Sequence, residues 1–97
     1  MAEIISMEGR VTIDNSPELR RKLNVALQTR PEELTVDFSE LTYIETSGLA
    51  TLVEALRTAR QQGTRLVISG VQGQPRDLLE VTRLDQLFDL ATNGETR

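Results

Sequence analysis

The stretch from Val36 to Leu56, V-D-F-S-E-L-T-Y-I-E-T-S-G-L-A-T-L-V-E-A-L, changes its hydrophobic period part-way along. Just before and into it, Leu34, Val36 and Phe38 alternate with Thr35, Asp37 and Ser39, as a strand does. After a turn near Ser39-Glu40, Leu41, Tyr43 and Ile44 carry apolar surface onward. From Ser47 the period becomes helical. Leu49, Leu52, Val53, Leu56 and Ala59 recur on one face, while Thr51, Glu54, Arg57 and Gln61 fall on the other. Gly63 supplies the stop. At the seam sit Glu45, Thr46, Ser47 and Gly48: an acid, two hydroxyls and a glycine where a helix begins. Either hydroxyl can serve only as a cap, satisfying orphan N–H groups. The same place can also receive a phosphate or a partner protein.

Toward the N-terminus, Ile4, Ile5, Met7, Val11 and Ile13 predict one strand, bent or bulged at Gly9 and continuing to about Ile13. In Asp14-Asn15-Ser16-Pro17-Glu18, either Asn15 or Ser16 can cap a helix with Pro17 at its first position. Leu19, Leu23, Ala26 and Leu27 form its apolar face, and Arg30-Pro31 ends it. Toward the C-terminus, Leu66-Val67-Ile68 predicts a strand covered on both faces. Val71 to Gln74 reads as a loop, and Pro75 starts a helix with Leu78, Val81 and Thr82 inward. Leu84, Leu87, Phe88 and Leu90 suggest a short helical turn and a last strand, followed by a frayed polar tail from Thr92 to Arg97. The order β-α-β-α-β-α-β predicts a single α/β domain over residues 1–97. Its mixed sheet has about four strands, parallel pairs are joined by right-handed crossovers, and the helices pack mainly on one face.

Composition narrows the function. The chain has no Cys and no His, which removes disulfides, thiolate chemistry, imidazole bases and the common zinc ligands. No metal or cofactor is expected. Gly70-Val71-Gln72-Gly73-Gln74-Pro75 lacks the Lys and Ser/Thr of a phosphate-binding P-loop, so an enzyme is not expected either. The net charge is -4, and Arg20-Arg21-Lys22 reads as a solvated helix face beside Glu18, not as a nucleic-acid patch. No run approaches the ~18 apolar residues of a membrane span, and no signal peptide is visible. A cytoplasmic protein is the expectation.

Two segments resemble STAS domains, the family named after sulfate transporters and anti-sigma factor antagonists. One is G-R-V-T-I-D-N-S-P-E-L-R at Gly9 to Arg20. The other is V-D-F-S-E-L-T-Y-I-E-T-S-G-L-A-T-L at Val36 to Leu52. Weaker likeness continues through Leu66 to Val71 and Thr82 to Phe88. The resemblance implies a bacterial regulatory binding protein of the anti-sigma factor antagonist type. Such a protein binds an anti-sigma factor that is also its serine kinase, and is switched off when the serine before the glycine is phosphorylated. By position that serine is Ser47, and the implied partner-binding residues are Asp14, Glu45, Thr46, Ser47, Gly48 and Thr51. The family's Asp-Ser-Ser-Gly is Glu45-Thr46-Ser47-Gly48 here. A gap-free match pinned by Pro17-Glu18-Leu19 puts Thr12 where an aspartate stands in the antagonists, with Asp14 two residues on as the replacement carboxylate. A second branch, small STAS subunits that bind the ATPase of lipid-transporting ABC complexes, carries a threonine at the position of Thr46. The chain is also short of the family's first strand and long C-terminal helix. That predicts an open sheet edge at the N-terminus and a weak, concentration-dependent homodimer.

Overall fold

A computed structural model describes residues 1–91, which form ten elements. They are β1 (Ala2–Ser6), β2 (Gly9–Val11), α1 (Ser16–Gln28), β3 (Glu33–Asp37), β4 (Leu41–Ile44), α2 (Thr46–Gln62), β5 (Arg65–Ser69), α3 (Gly73–Val81), a 3-10 turn (Leu84–Gln86) and β6 (Asp89–Ala91). The expected tail from Thr92 to Arg97 lies outside the described residues.

The main sheet has four strands in the order β1-β3-β5-β6. Every pairing in it is parallel, so it is not mixed. The reason is the spacing of the helices. One helix separates each strand from its next neighbour in the sheet, and each crossover returns the chain to the same starting end.

The single strand expected from Ile4 to Ile13 is two. β1 stops at Ser6, β2 runs from Gly9 to Val11, and Ile13 lies in a turn. β2 pairs with β4 in a separate parallel ladder, irregular between Gly9 and Arg10. Gly9 has φ 73°, a left-handed conformation that costs glycine little and lets the chain bend here. Met7 N–H donates to the Asp37 carbonyl at 3.4 Å and Gly9 N–H to that of Glu40 at 2.9 Å. The two ladders therefore follow one another along a bent ribbon.

Register sets the faces. Glu3, Leu34 and Leu66 lie side by side, as do Ile5, Val36, Ile68 and Leu90. Leu34, Val36, Leu66 and Ile68 join Leu19, Leu23 and Leu27 of α1 and Leu52, Leu56 and Ala59 of α2 in one core. Each fully buried aliphatic side chain there contributes about 1.5–3 kcal/mol. The alternate row, Ile4, Thr35, Val67 and Asp89, faces away. On that outer face Arg65 bridges Glu33 at 3.0 Å and Asp89 at 2.7 Å. Asp89 first, then Glu33, raise the Arg65 pKa above its ordinary value.

Asn15 stands at the N-cap of α1 but makes no side-chain cap bond. Its Oδ1 accepts from Thr12 N–H at 2.7 Å and its Nδ2 donates to the Arg10 carbonyl at 2.8 Å. It closes the turn after β2 instead of capping the helix. Turn-forming side chains often bond locally in this way.

Candidate functional site

The seam is held from two sides by residues distant in sequence. On one side β4 pairs with β2, and Glu45 N–H donates to the Val11 carbonyl at 2.9 Å. On the other, Gln74 acts as a one-residue strand. Its Oε1 accepts from Ile44 N–H at 2.8 Å and its Nε2 donates to the Ile44 carbonyl at 3.0 Å. Gln74→Ala leaves both groups of Ile44 without that partner. It should lower unfolding free energy by about 1–3 kcal/mol. Gln74→Glu keeps the acceptor alone and should fall between the two in urea denaturation.

Glu45 is the N-cap residue of α2, with extended backbone and no side-chain cap bond. Its carboxylate reaches across instead, and Oε1 accepts from Ile13 N–H at 3.2 Å. The turn Thr12–Asn15 is thereby tied to the start of α2. Ile13 is 73% exposed beside it, and Asp14 is exposed next in the chain. Thr46, the first residue of α2, is also exposed. The sequence pattern does not mark Ile13 as a surface residue. Alternation with Val11 suggested a continuing strand, but the strand ends at Val11 and the turn swings Ile13 outward.

Ser47 is the second residue of α2. Its Oγ is buried and has no hydrogen-bond partner, the one such side-chain atom among the described residues. A hydroxyl in that state costs about 1–3 kcal/mol. Neither Thr46 nor Ser47 acts as a cap here. Gly48 is buried, and a Cβ on it would lie 2.7 Å from Ile44 Cγ1 and 2.9 Å from Val11 Cγ1. This glycine lets α2 sit directly on β2 and β4.

Thr51 departs from expectation. It is 1% exposed, and its Oγ1 donates to the Ser47 carbonyl at 2.9 Å. The buried arc of α2 takes in Gly48, Thr51 and Ala55 as well as Leu49, Leu52, Leu56 and Ala59, while Val53 is only partly buried. The arc is wide because α2 packs against α1 as well as against strands. Thr51 thus belongs to the interior and offers no surface to a partner. The structure brings Asp14, Glu45, Thr46 and Ser47 to one end of the fold, with Gly48 beneath them.

The family model described as "Mlab, STAS domain" matches residues 2–91. The chain belongs to the STAS domain family. This STAS domain is 26% identical over 86 residues to an anti-sigma-B factor antagonist of Listeria monocytogenes, covering 89% of this chain and 75% of the relative. Its fold matches the crystal structure of an anti-sigma factor antagonist from Mycobacterium paratuberculosis with a TM-score of 0.82 and 19% identity, over 91% of this chain and 74% of that one. It also matches a sulfate transporter family protein from Wolinella succinogenes with a TM-score of 0.78 and 22% identity, over 93% and 75% of the two chains. These likenesses establish the fold that the anchors at Gly9 to Arg20 and Val36 to Leu52 implied. Among the described residues, no helix is long and apolar enough to cross a membrane, and no cluster of His, Cys, Asp or Glu could hold a metal ion.

Proposed function

We propose that this STAS domain is an anti-sigma factor antagonist, docking through the first turn of α2 on an anti-sigma factor that is also a serine kinase. The observation that carries the reading is Ser47: a hydroxyl at the second position of a helix, buried and without a partner. No structural bond would be lost by modifying it. The residue as a whole is only half-buried, and phosphorylation requires the hydroxyl to turn outward by rotation about Cα–Cβ. A phosphate placed there adds about -1.5 to -2 charge, which the helix N-terminus accommodates through its free N–H groups and dipole. A partner packed over the same turn meets that charge next to Glu45 and Asp14 and lets go.

Ile13 supplies the apolar anchor of the docking face. Ile13→Ser should weaken partner binding roughly tenfold, about 1.4 kcal/mol. Because the side chain is exposed, unfolding should shift by no more than about 0.5 kcal/mol.

One observation favours a second reading. The Thr46 hydroxyl is on an exposed residue while that of Ser47 is buried, which suits a subunit that contacts an ABC-transporter ATPase through Thr46 without being phosphorylated. Capture on the immobilised chain, followed by ATP and mass spectrometry, tests both. A retained histidine-kinase-like ATPase, with phosphate appearing on Ser47, supports the first reading. A retained ABC ATPase, with Ser47 unmodified and capture lost in Thr46→Ala, supports the second. Phosphate on Thr46 would overturn the assignment of Ser47.

A further inference from the structure

β1 is an edge strand. It pairs with β3 on one side and with no described strand on the other. The ladder shows which groups are left over. The Met1 carbonyl accepts from Glu32 N–H, and Met7 N–H donates to the Asp37 carbonyl. Odd-numbered residues of β1 therefore turn their backbone groups toward β3. With a period of two, Ala2, Ile4 and Ser6 turn theirs outward. Lys22 Nζ donates to one of these groups, the Ser6 carbonyl, at 2.9 Å. Ile4 itself is 72% exposed.

We propose that β1 pairs with β1 of a second copy of this chain, antiparallel, about a two-fold axis through Ile4. The edge is self-complementary, as an isologous interface requires. The axis sets Ile4 opposite Ile4 and Ala2 opposite Ser6, and each of these residues presents both its N–H and its C=O. All are hydrogen-bonded pairs, with Cα atoms about 5.5 Å apart. The two Ile4 side chains cover one another on the outer face, an apolar cross-strand pair.

Charge favours the same occupant. On the helix side, an apolar groove of about 320 Å³ runs beside β1, lined by Ile5, Val25 and Ala26 together with the charged Glu3, Arg21 and Lys22. Val25 is 55% exposed there. The two-fold axis sets the second copy's Glu3 opposite Ile5, one position from where Lys22 meets Ser6. Each copy thus brings an acid toward the other's basic side chains. Lys22 also narrows which strands this edge accepts. An ammonium over an edge carbonyl discourages a neutral or basic strand, whereas the carbonyl's second lone pair stays open to a strand that brings an acid.

Sedimentation equilibrium of the 97-residue chain over roughly 10 µM to 1 mM, the range suited to a small interface, should show reversible monomer–dimer exchange. Ile4→Pro removes an outward N–H and no bond to β3, a substitution edge strands tolerate. It should raise the dimer dissociation constant by at least about tenfold and leave circular dichroism unchanged. Ile4→Cys introduces the only cysteine, at a Cα separation of about 5.5 Å across the axis that permits a disulfide. On oxidation it should give a covalent dimer. A monomer throughout, a dimer indifferent to Ile4→Pro, or an Ile4→Cys chain that does not cross-link at dimer-forming concentrations would each overturn the proposal.

Discussion

Ser47→Asp is expected to leave the fold intact and weaken partner binding on the order of 100-fold, about 2.7 kcal/mol. The two halves of that result have separate causes. At the second position of α2 an acid faces the positive end of the helix dipole, which favours it by about 0.3–1 kcal/mol. Ser47 as a residue is only half-buried, so the carboxylate should turn outward from the hydroxyl's buried place, where an unpaired charge would be costly. Stability should thus be unchanged or slightly raised. At the docking face the same acid stands with Glu45 and Asp14, and like charges brought together at an interface cost several kcal/mol. Ser47→Ala makes the contrast. It removes the buried hydroxyl that has no partner, so unfolding free energy should rise by about 1–3 kcal/mol. Binding should persist, and ATP should no longer release the partner. Titration calorimetry with and without ATP, beside urea denaturation, reads both halves. Unchanged binding by Ser47→Asp would remove Ser47 from the docking face.

Gly48→Val is expected to destabilise the domain by about 3 kcal/mol, the upper end of what overpacking a filled core costs. The first added carbon already falls 2.7 and 2.8 Å from Ile44 Cγ1 and Cδ1 and 2.9 Å from Val11 Cγ1. Ile44 is 1% exposed and Val11 0%, so neither has space to retreat. The helix must lift from β2 and β4, which would also disturb the bonds at Val11 and Gln74 that fix the seam. Gly48→Ala should cost less. Replacing glycine inside a helix returns about 1 kcal/mol of propensity, which offsets part of the clash. A fall in the urea midpoint with unchanged slope would confirm a packing effect. A Gly48→Val chain as stable as the parent would mean that the close approach of α2 to the strands is dispensable.

Much of the site was legible without the fold. Glu45 to Gly48 lies where strand alternation gives way to helical period, and that change is written in the local order of apolar residues. The starts of α1, α2 and α3 fall within two residues of those expected at Ser16, Ser47 and Pro75. The absence of Cys and His excluded whole classes of chemistry directly. Two expectations failed for a common reason. Periodicity puts Thr51 on the outer face of α2, because a single helix shows only its own pattern, and the packing of α1 beside it is not part of that pattern. Alternation puts Ile13 in a strand, because it does not record where a ladder loses its partner.

By itself, then, the sequence determined the three helices, the alternation of strand and helix and the place of the candidate site, because each follows from short-range pattern and composition; the division of β1 from β2 and the separate β2-β4 ladder came only with the fold. The tertiary structure alone decided the state of that site. Gln74 clamps Ile44 across 30 residues and Glu45 holds Ile13 across 32. Around them Val11 and Ile44 press on Gly48, Thr46 and Ile13 are exposed, and the Ser47 hydroxyl is buried. Which hydroxyl is open depends on neighbours that only folding brings together.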